Sequence, residues 1–357
     1  MKRIVIDSYP ISVPHSGLGE FCIQIGRVLS KLAPELQSKY GIELYFILPP
    51  KFEGFFGNGV KYICIPAAMR WIIPFYPFRA DLFHIPYQCG KIKCMYFAKK
   101  QLLTIHDINF VYERRGRHLK RSVNRLKRRL CHSDYLSYIS KFAYEDTKRH
   151  FDVCQPYKII YNGVSDLSAN MRDASLPAGL PESFLFHISS LLPKKNIHLL
   201  IDMMKYLPDQ NLVIAGNWDN DYASRLMQKV KDENRSNIYL LPNVTEEEKI
   251  ALYDKCRALL FPSLCEGFGL PPIEAMKFGK PVFLSTLTSL PEVGGDAAFY
   301  WEELSPPQMA NILRNKLSVY DNDSEYPDRL RQNAARFQWD KCVTEYINYY
   351  LEILNLQ

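Results

Sequence analysis

Short apolar runs alternate with helix-like segments along the whole sequence. Runs of this kind predict β-strands, and strands that alternate with helices are typical of α/β proteins with a parallel sheet. In the first half of the chain the predicted strands are residues 2–7, 44–48, 60–66, 81–86, 102–107, 135–140 and 157–161. After a segment rich in Ser, Asp, Ala and Pro at 166–181, the pattern restarts with predicted strands at 184–189, 211–216, 237–242, 258–262 and 281–285. The 357 residues are therefore predicted to form two α/β domains, each with its own core.

Composition places the chain among globular proteins, with 47% apolar and 23% charged residues. No apolar run reaches the ~18 residues that suggest a membrane-spanning helix. The first residues also lack the apolar core of a signal peptide, so we expect a cytoplasmic protein. The nine cysteines include no Cys-x2-Cys pair, which disfavours a zinc site, and we expect them to be reduced.

A strand-to-helix connection at residues 265–276 is the strongest candidate binding site. It contains two glycines, and a Pro-Pro pair then opens a predicted helix. Free backbone N–H groups and the positive end of the helix dipole suit a phosphate at such a place, and glycine lets the backbone approach it closely. Glu266 and Glu274 lie eight positions apart on either side of the loop, where their carboxylates can accept hydrogen bonds from different parts of one ligand.

Glu-x7-Glu with Gly-Phe-Gly-Leu-Pro inside it resembles the signature of retaining GT-B glycosyltransferases of the group 1, family 4 type, which include bacterial surface-polysaccharide enzymes. The resemblance continues through Gly-Lys-Pro-Val at 279–282 and Ser-Leu-Pro-Glu-Val-Gly at 289–294, and weaker matches cover nearly the whole chain. The alternative is an ordinary strand-to-helix loop with two solvated glutamates.

The resemblance implies a GT-B fold, in which two Rossmann-like, doubly wound domains face each other across a cleft. It implies an acceptor-binding domain at 1–165, a nucleotide-sugar-binding domain at 166–339 and a C-terminal helix at 340–357 that crosses back to the first domain. The implied reaction moves a mannose-, galactose- or N-acetylglucosamine-like hexose, with retained anomeric configuration, from a GDP- or UDP-sugar. The implied acceptor is a glycan or lipid-linked oligosaccharide of cell-surface polysaccharide or lipopolysaccharide synthesis. No cofactor and no metal are expected.

The same resemblance gives roles to the loop residues. Glu266 is expected to act in catalysis by holding hydroxyls of the transferred sugar, and Glu274 is expected to bind the ribose. The other substrate-binding residues implied in the loop are Gly267, Phe268, Gly269 and Leu270.

The segment at 190–196 resembles the family's Gly-Arg-Leu-x3-Lys-Asn element, whose Arg and Lys hold the donor diphosphate. Lys195, a catalytic residue in this assignment, and Asn196 match it, whereas Ser190 stands where the Arg is commonest. Lys194 is expected to replace the missing guanidinium as a point charge. The alternative is that both lysines are solvated turn residues.

Two features of the first half also match the family. Gly17 and Gly19, in the predicted strand-to-helix turn 14–20, resemble the glycine-rich loop that approaches the donor diphosphate. His106 follows a predicted strand, and the family has a catalytic His near the transferred sugar at that place. The alternative is a histidine packed at the strand end with Asp107 as a turn residue.

Residues 114–129 form a strongly basic segment, since nine of the sixteen are Lys or Arg and none is acidic. Leucines and a valine recur at helical spacing within it, which predicts an amphipathic helix. The proline-broken aromatic stretch at 69–78 is predicted not to form a long regular element. Together they suit an anionic membrane surface, at the inner face of the cell membrane. A solvated helix face and a buried loop are the alternative.

Two rival classes fit parts of the sequence. A dinucleotide-dependent oxidoreductase would need Gly-x-Gly-x-x-Gly after its first strand, which this chain lacks. A basic nucleic-acid-binding α/β protein would explain the net charge of +7 but not the glutamate pair, so we expect no nucleic-acid partner. A glycosyltransferase with a soluble acceptor stays open. Asp219 and Asp221 imitate a metal-binding Asp-x-Asp motif, but are predicted to begin a surface helix.

Overall fold

The computed structural model describes residues 1–13, 16–88, 90, 92, 94–165, 167 and 175–356. The chain divides into two compact units. The first consists of Met1–Gly163 together with Gln338–Gln357, and the second is Val164–Phe337. The chain therefore passes between the units two residues earlier, at both crossings, than the predicted boundaries after 165 and 339. Half of the predicted linker, at residues 166 and 168–174, lies outside the described residues.

The first unit has a parallel sheet of seven strands in the order β3-β2-β1-β4-β5-β6-β7. The strands are β1 Lys2–Asp7, β2 Ile42–Leu48, β3 Lys61–Cys64, β4 Ala80–Ile85, β5 Ala98–Ile105, β6 Tyr135–Tyr138 and β7 Tyr157–Ile159. Apolar side chains of the strands point to both faces of this sheet. On each face they pack with apolar side chains of the helices, so both faces are covered.

The helices of this unit differ from the sequence predictions in where the first one begins. They are α1 Gly17–Tyr40, α2 Phe110–Glu113, α3 Gly116–His132 and α4 Lys141–His150. Helix α1 begins earlier than predicted, because the Ser16 hydroxyl accepts a hydrogen bond from Gly19 N and caps it. Gly17 and Gly19 consequently lie in its first turn and not in a loop; Pro14 and His15 are outside the described residues.

Two surface segments of the first unit also differ from prediction. Residues Ala67–Phe75 form a nine-residue 3₁₀-helix, which is unusually long for this type, although Pro74 lies inside it. On α3, eight of the nine basic residues at 114–129 are exposed, but Arg129 is buried. Its guanidinium donates to the carbonyl oxygens of Gly90 and Ile92. One member of the basic run is therefore a structural group of the interior.

The second unit has a parallel sheet of six strands in the order β10-β9-β8-β11-β12-β13. The strands are β8 Leu185–Ser189, β9 Leu212–Gly216, β10 Ile238–Pro242, β11 Ala258–Phe261, β12 Val282–Ser285 and β13 Phe299–Trp301. The last of these was not predicted, because its run has only three residues. The helices are α5 Ile197–Met203, α6 Asp221–Asp232, α7 Glu246–Lys255, α8 Leu270–Lys277, α9 Leu290–Gly294, α10 Pro306–Asp321 and α11 Tyr326–Ala334.

All strands are parallel, but the order in which successive strands are added reverses once in each sheet. The reversal lies between β1 and β4 in the first unit and between β8 and β11 in the second. In open α/β sheets, ligands bind beyond the carboxyl ends of the strands at such a switch point. The fold therefore directs attention to the loops that follow these four strands.

The C-terminal helix α12 Trp339–Leu354 belongs to the first unit. Its tyrosine hydroxyls reach the interior of the first sheet: Tyr350 lies 2.7 Å from His84 Nδ1, and Tyr346 lies 3.1 Å from Thr104 Oγ1. Among the described residues, no helix is both long and apolar enough to cross a membrane.

Candidate functional site

The turn that follows β8 has an unusual backbone. Leu191 and Asn196 have φ values of +48° and +54°, a region that non-glycine residues rarely enter. The Leu191 N–H donates to Ser189 Oγ, and Ser189 donates to Nε2 of the buried His187, whose Nδ1 donates to Leu260 O. Burial lowers the pKa of His187 to about 4, so its ring is neutral as this chain of hydrogen bonds requires. Local strain that neighbouring groups maintain in this way is common at functional sites.

Lys195 forms a buried ion pair with Glu266. Lys195 Nζ lies 2.5 Å from Glu266 Oε1, and the two side chains are only 10% and 12% exposed. The ammonium group also lies 5.2 Å from the centroid of the Phe261 ring. Lys195 follows β8 and Glu266 follows β11, so the pair lies at the switch point of the second sheet.

The neighbours of Lys195 have different environments. Lys194 is half-buried, and its carbonyl oxygen accepts a hydrogen bond from Leu264 N, which joins the turn after β8 to the loop after β11. Asn196 is buried, whereas Ser190, at the position of the expected arginine, is exposed.

Two consecutive hydroxyl side chains hold the loop that carries Glu266. Thr288 Oγ1 accepts a hydrogen bond from Glu266 N at 3.2 Å, and Ser289 donates to the carbonyl oxygens of Glu266 and Phe268. Thr288 has a φ of +58°, a genuine outlier for a β-branched residue. Gly269 has a φ of +113° and caps α8, which begins at Leu270. The glycine is required here, because a side chain would be strained and a Cβ would lie 3.0 Å from Leu290.

Glu274 lies on α8, and its carboxylate is oriented from α7. The buried Tyr253 hydroxyl donates to Glu274 Oε2 at 2.6 Å, while Lys249 Nζ lies 3.9 Å from the other oxygen. Burial raises the pKa of the Tyr253 phenol well above its usual range, so the hydroxyl stays a donor. One carboxylate oxygen is thus fixed, and the other remains able to accept a further hydrogen bond.

In the first unit, His106 lies at the end of β5, next to α1. Its Nε2 donates to Pro86 O at 2.9 Å, and its ring is in edge contact with Phe21, 4.6 Å between centroids. Burial lowers the pKa of the imidazole to about 4, so it is neutral near pH 7. Asp107 accepts from Asn109 N as a turn residue. The structure therefore contains the features of the packing alternative, and the role of His106 with sugar stays a prediction.

A buried carboxylate at the end of β1 was not found from the sequence. Asp7 Oδ2 accepts a hydrogen bond from Tyr87 Oη at 2.8 Å, and Asp7 Oδ1 accepts one from Tyr9 N. Burial raises the pKa of Asp7 to about 6, although the Tyr87 hydrogen bond opposes this shift. The sequence signal that could have indicated this carboxylate is the position of Asp7, an acidic residue at the end of the first apolar run.

The structure thus brings Lys195, Lys194 and Glu266 together, with the loop to Leu270 and Glu274 following directly on the same connection. His106, Gly17 and Gly19 belong to the first unit. The sequence did not identify the residues that support the second-unit site, which are His187, Ser189, Tyr253, Thr288 and Ser289.

The Asp-x-Asp sequence takes the helical alternative that was predicted for it. Asn220 caps α6 by accepting from Ala223 N, and Asp221 is its first residue. In the described part of the chain, no group of three or more His, Cys, Asp or Glu side chains is arranged to hold a metal ion.

Comparisons with known proteins agree with this architecture. Residues 172–337 match the family described as Glycosyl transferases group 1. The O-antigen chain mannosyltransferase RfbU of Salmonella typhimurium is 30% identical over 252 residues, which cover 68% of this chain and 67% of RfbU. The serotype-specific mannosyltransferase WbdA of Escherichia coli is 32% identical over 172 residues, 45% of this chain, and the match spans only 20% of WbdA. Anabaena HepE, solved in complex with UDP and glucose, shares the fold with a TM-score of 0.74 at 18% identity over 99% of both chains.

Proposed function

Because this chain belongs to the glycosyl transferases group 1 family and has the GT-B fold, we propose that it transfers a hexose from a nucleoside diphosphate sugar to a glycan. RfbU and WbdA are named mannosyltransferases, and HepE was solved with UDP and glucose. These names favour mannose as the transferred sugar and a surface polysaccharide chain, free or lipid-linked, as the acceptor.

The buried Lys195–Glu266 pair is the observation that carries the proposal. An ammonium group has three N–H donors, and Glu266 takes one of them. The others are suited to the oxygens of a diphosphate, whose charge increases as the sugar leaves. Glu266 Oε1 faces Lys195, so its Oε2 is the atom that we assign to a sugar hydroxyl.

The remaining donor contacts follow from the loop and α8. Lys194 and the N-terminus of α8 add positive charge for the phosphates, so we propose that the reaction needs no metal. Glu274, which Tyr253 holds by one oxygen, accepts from the ribose hydroxyls with the other. His106, neutral near pH 7, is proposed to help to place the reacting sugar.

The proposed reaction retains the anomeric configuration. The bond between the anomeric carbon and the phosphate oxygen breaks, and the acceptor hydroxyl forms the new bond on the same face of the sugar. The proton of that hydroxyl passes to the departing phosphate oxygen, so no covalent enzyme intermediate is needed.

A thermal-shift panel of nucleoside diphosphates and their sugars tests the proposal. A ligand specific to the folded state at 100 times its Kd adds about 2.7 kcal/mol. For a unit of this size we expect a rise in Tm of roughly 5–10 °C. The anomeric configuration of the product, read by NMR, then tests retention. The proposal is wrong if no nucleotide in the panel raises the Tm, and an inverted product removes the same-face mechanism.

A further inference from the structure

Four aromatic side chains are exposed on one part of the first unit. Trp71 and Phe75, from the 3₁₀-helix Ala67–Phe75, are 71% and 64% exposed, and Tyr96 and Phe97 are 59% and 49% exposed. The rings of Phe75 and Tyr96 are 5.5 Å apart, and the four exposed residues are here called the aromatic patch. Apolar groups of this size in water, next to one another, mark an interaction surface.

The exposed side of α3 is uniformly cationic. Its solvent-exposed basic residues, here called the basic face, are Arg117, Lys120, Arg121, Arg125, Lys127 and Arg128. The sequence has no Asp or Glu between Glu113 and Asp134 to balance them. A partner with many negative charges would complement this face.

The aromatic patch and the basic face lie on the same face of the first sheet. Ile73, between Trp71 and Phe75, is buried in one apolar cluster with Leu126 and Leu130 of α3. The side chains of α1 and α12 pack in the other cluster, on the opposite face of the sheet. The two surfaces are thus parts of one layer that covers the sheet.

Hydrogen bonds reach α3 and the 3₁₀-helix from two residues that lie close together in the sequence. The buried Arg129 of α3 donates to Ile92 O at 2.8 Å, and a few residues later Tyr96 N donates to Pro74 O at 3.0 Å. Ile92 is thus bonded to α3, and Tyr96, four positions later in the sequence, is bonded to the 3₁₀-helix. The helix of the basic face and the backbone of the aromatic patch are therefore both hydrogen-bonded within the layer that covers this face of the sheet.

We propose that this face of the first unit docks on an anionic lipid bilayer, with the basic face at the headgroups and the aromatic patch in the interfacial region. Aromatic rings with an apolar body and a polar edge favour that region, and basic residues near the surface are attracted to anionic lipid. Each Lys or Arg near the surface strengthens partition about fivefold. The inference is independent of the proposed reaction, since it concerns where the protein binds and not what it transfers.

Cosedimentation with vesicles tests the charge requirement. The probes are vesicles of phosphatidylglycerol and phosphatidylcholine in equal parts, and vesicles of phosphatidylcholine alone. A variant with Arg117, Arg121 and Arg128 changed to Gln should bind the anionic vesicles roughly a hundredfold more weakly than the parent chain. A matched control changes three exposed basic residues of the second unit, Arg225, Lys231 and Lys316, to Gln, and should bind like the parent.

Tryptophan fluorescence tests the aromatic contact. Trp218, Trp301 and Trp339 are buried, so Trp71 is the exposed member of the four tryptophans, all of which lie in the described part of the chain. Anionic vesicles should shift the emission of the parent to shorter wavelength, and Trp71→Phe should abolish the shift. Phe75→Ser with Phe97→Ser should weaken the binding that persists at high salt.

Three results would overturn the proposal. The parent could fail to bind anionic vesicles, or the second-unit control could lose as much binding as the α3 variant, which would reduce the effect to net charge. The third result is salt-sensitive binding to duplex nucleic acid, at concentrations where vesicles are not bound, which would assign the face to a different polyanion.

Discussion

Changing Glu266 to Gln should destabilise the second unit while increasing its affinity for nucleoside diphosphate. The substitution keeps the shape of the side chain but leaves Lys195, nine-tenths buried, without its counter-ion at 2.5 Å. Removal of one partner from a buried ion pair costs about 3–5 kcal/mol. For a unit of this size that loss corresponds to a fall in Tm of roughly 6–20 °C.

A diphosphate supplies the negative charge that the variant lacks. The rise in Tm on addition of the preferred nucleoside diphosphate should therefore be larger in Glu266→Gln than in the parent. Sugar transfer should nevertheless fall, because the contact to the sugar hydroxyl has lost its charge.

The assay is urea and thermal unfolding of the full chain, with and without nucleotide. Glu302→Gln, an exposed glutamate in the same unit, is the matched control and should change the free energy of unfolding by less than about 0.5 kcal/mol. Glu266→Gln combined with Lys195→Met should be more stable than Glu266→Gln alone, since no charge is left unpaired. Equal stability and equal nucleotide response in Glu266→Gln and the parent would refute the reasoning.

Three further predictions address the donor site, the metal and pH. Tyr253→Phe removes the hydrogen bond to Glu274, which is worth about 1.5–3 kcal/mol. This variant and Glu274→Ala should each weaken nucleotide binding about 10- to 150-fold. Calorimetric titration measures the affinity, and an unchanged affinity in both variants would contradict the assignment of Glu274 to the ribose. Transfer should continue in excess chelator, and a rate that disappears with chelator and returns with manganese or magnesium would contradict the metal-free proposal. Stability should fall as the pH drops below 6.5, because His84, with a pKa of about 3, and His106 and His187, with pKa values of about 4, stay neutral when folded but take up protons on unfolding. At about pH 5 the neutral form of each histidine costs the folded state about 2 kcal/mol of stability. Asp7, with its pKa raised to about 6, opposes this loss by about 1 kcal/mol, because it binds a proton in the folded state. Urea midpoints that are flat between about pH 7 and pH 5 would exclude this prediction.

The order of elements was predictable because the strands are buried on both sides and therefore read as apolar runs. All twelve predicted strands are present, whereas β13, with three residues, is too short to give such a signal. The amphipathic helix was also predicted by its apolar spacing. The burial of Arg129 was not, since a run of charges does not indicate which one turns towards buried carbonyl groups.

From the sequence, the candidate site could be proposed as individual residues and not as an arrangement. Lys195 and Glu266 were each assigned to a ligand, but 71 positions separate them, and only the adjacency of β8 and β11 brings them into contact. The positive φ of Thr288 was likewise hidden, because a threonine gives no sequence signal for a conformation that usually selects glycine. Thr288 supports the site only through its side-chain oxygen, which accepts a hydrogen bond from Glu266 N.

The position of α12 has a consequence for synthesis of the protein on the ribosome. The second unit is one continuous segment, Val164–Phe337, and emerges complete while Gln338–Gln357 is still to be made. Until those residues emerge, His84 and Thr104 lack the hydroxyl partners of α12, and the face of the first sheet that α1 and α12 cover together has only the apolar cover from α1. The second unit can therefore finish folding before the first, although it is translated later. A premature stop codon that removes only the last helix would disable the N-terminal domain and leave the other one intact.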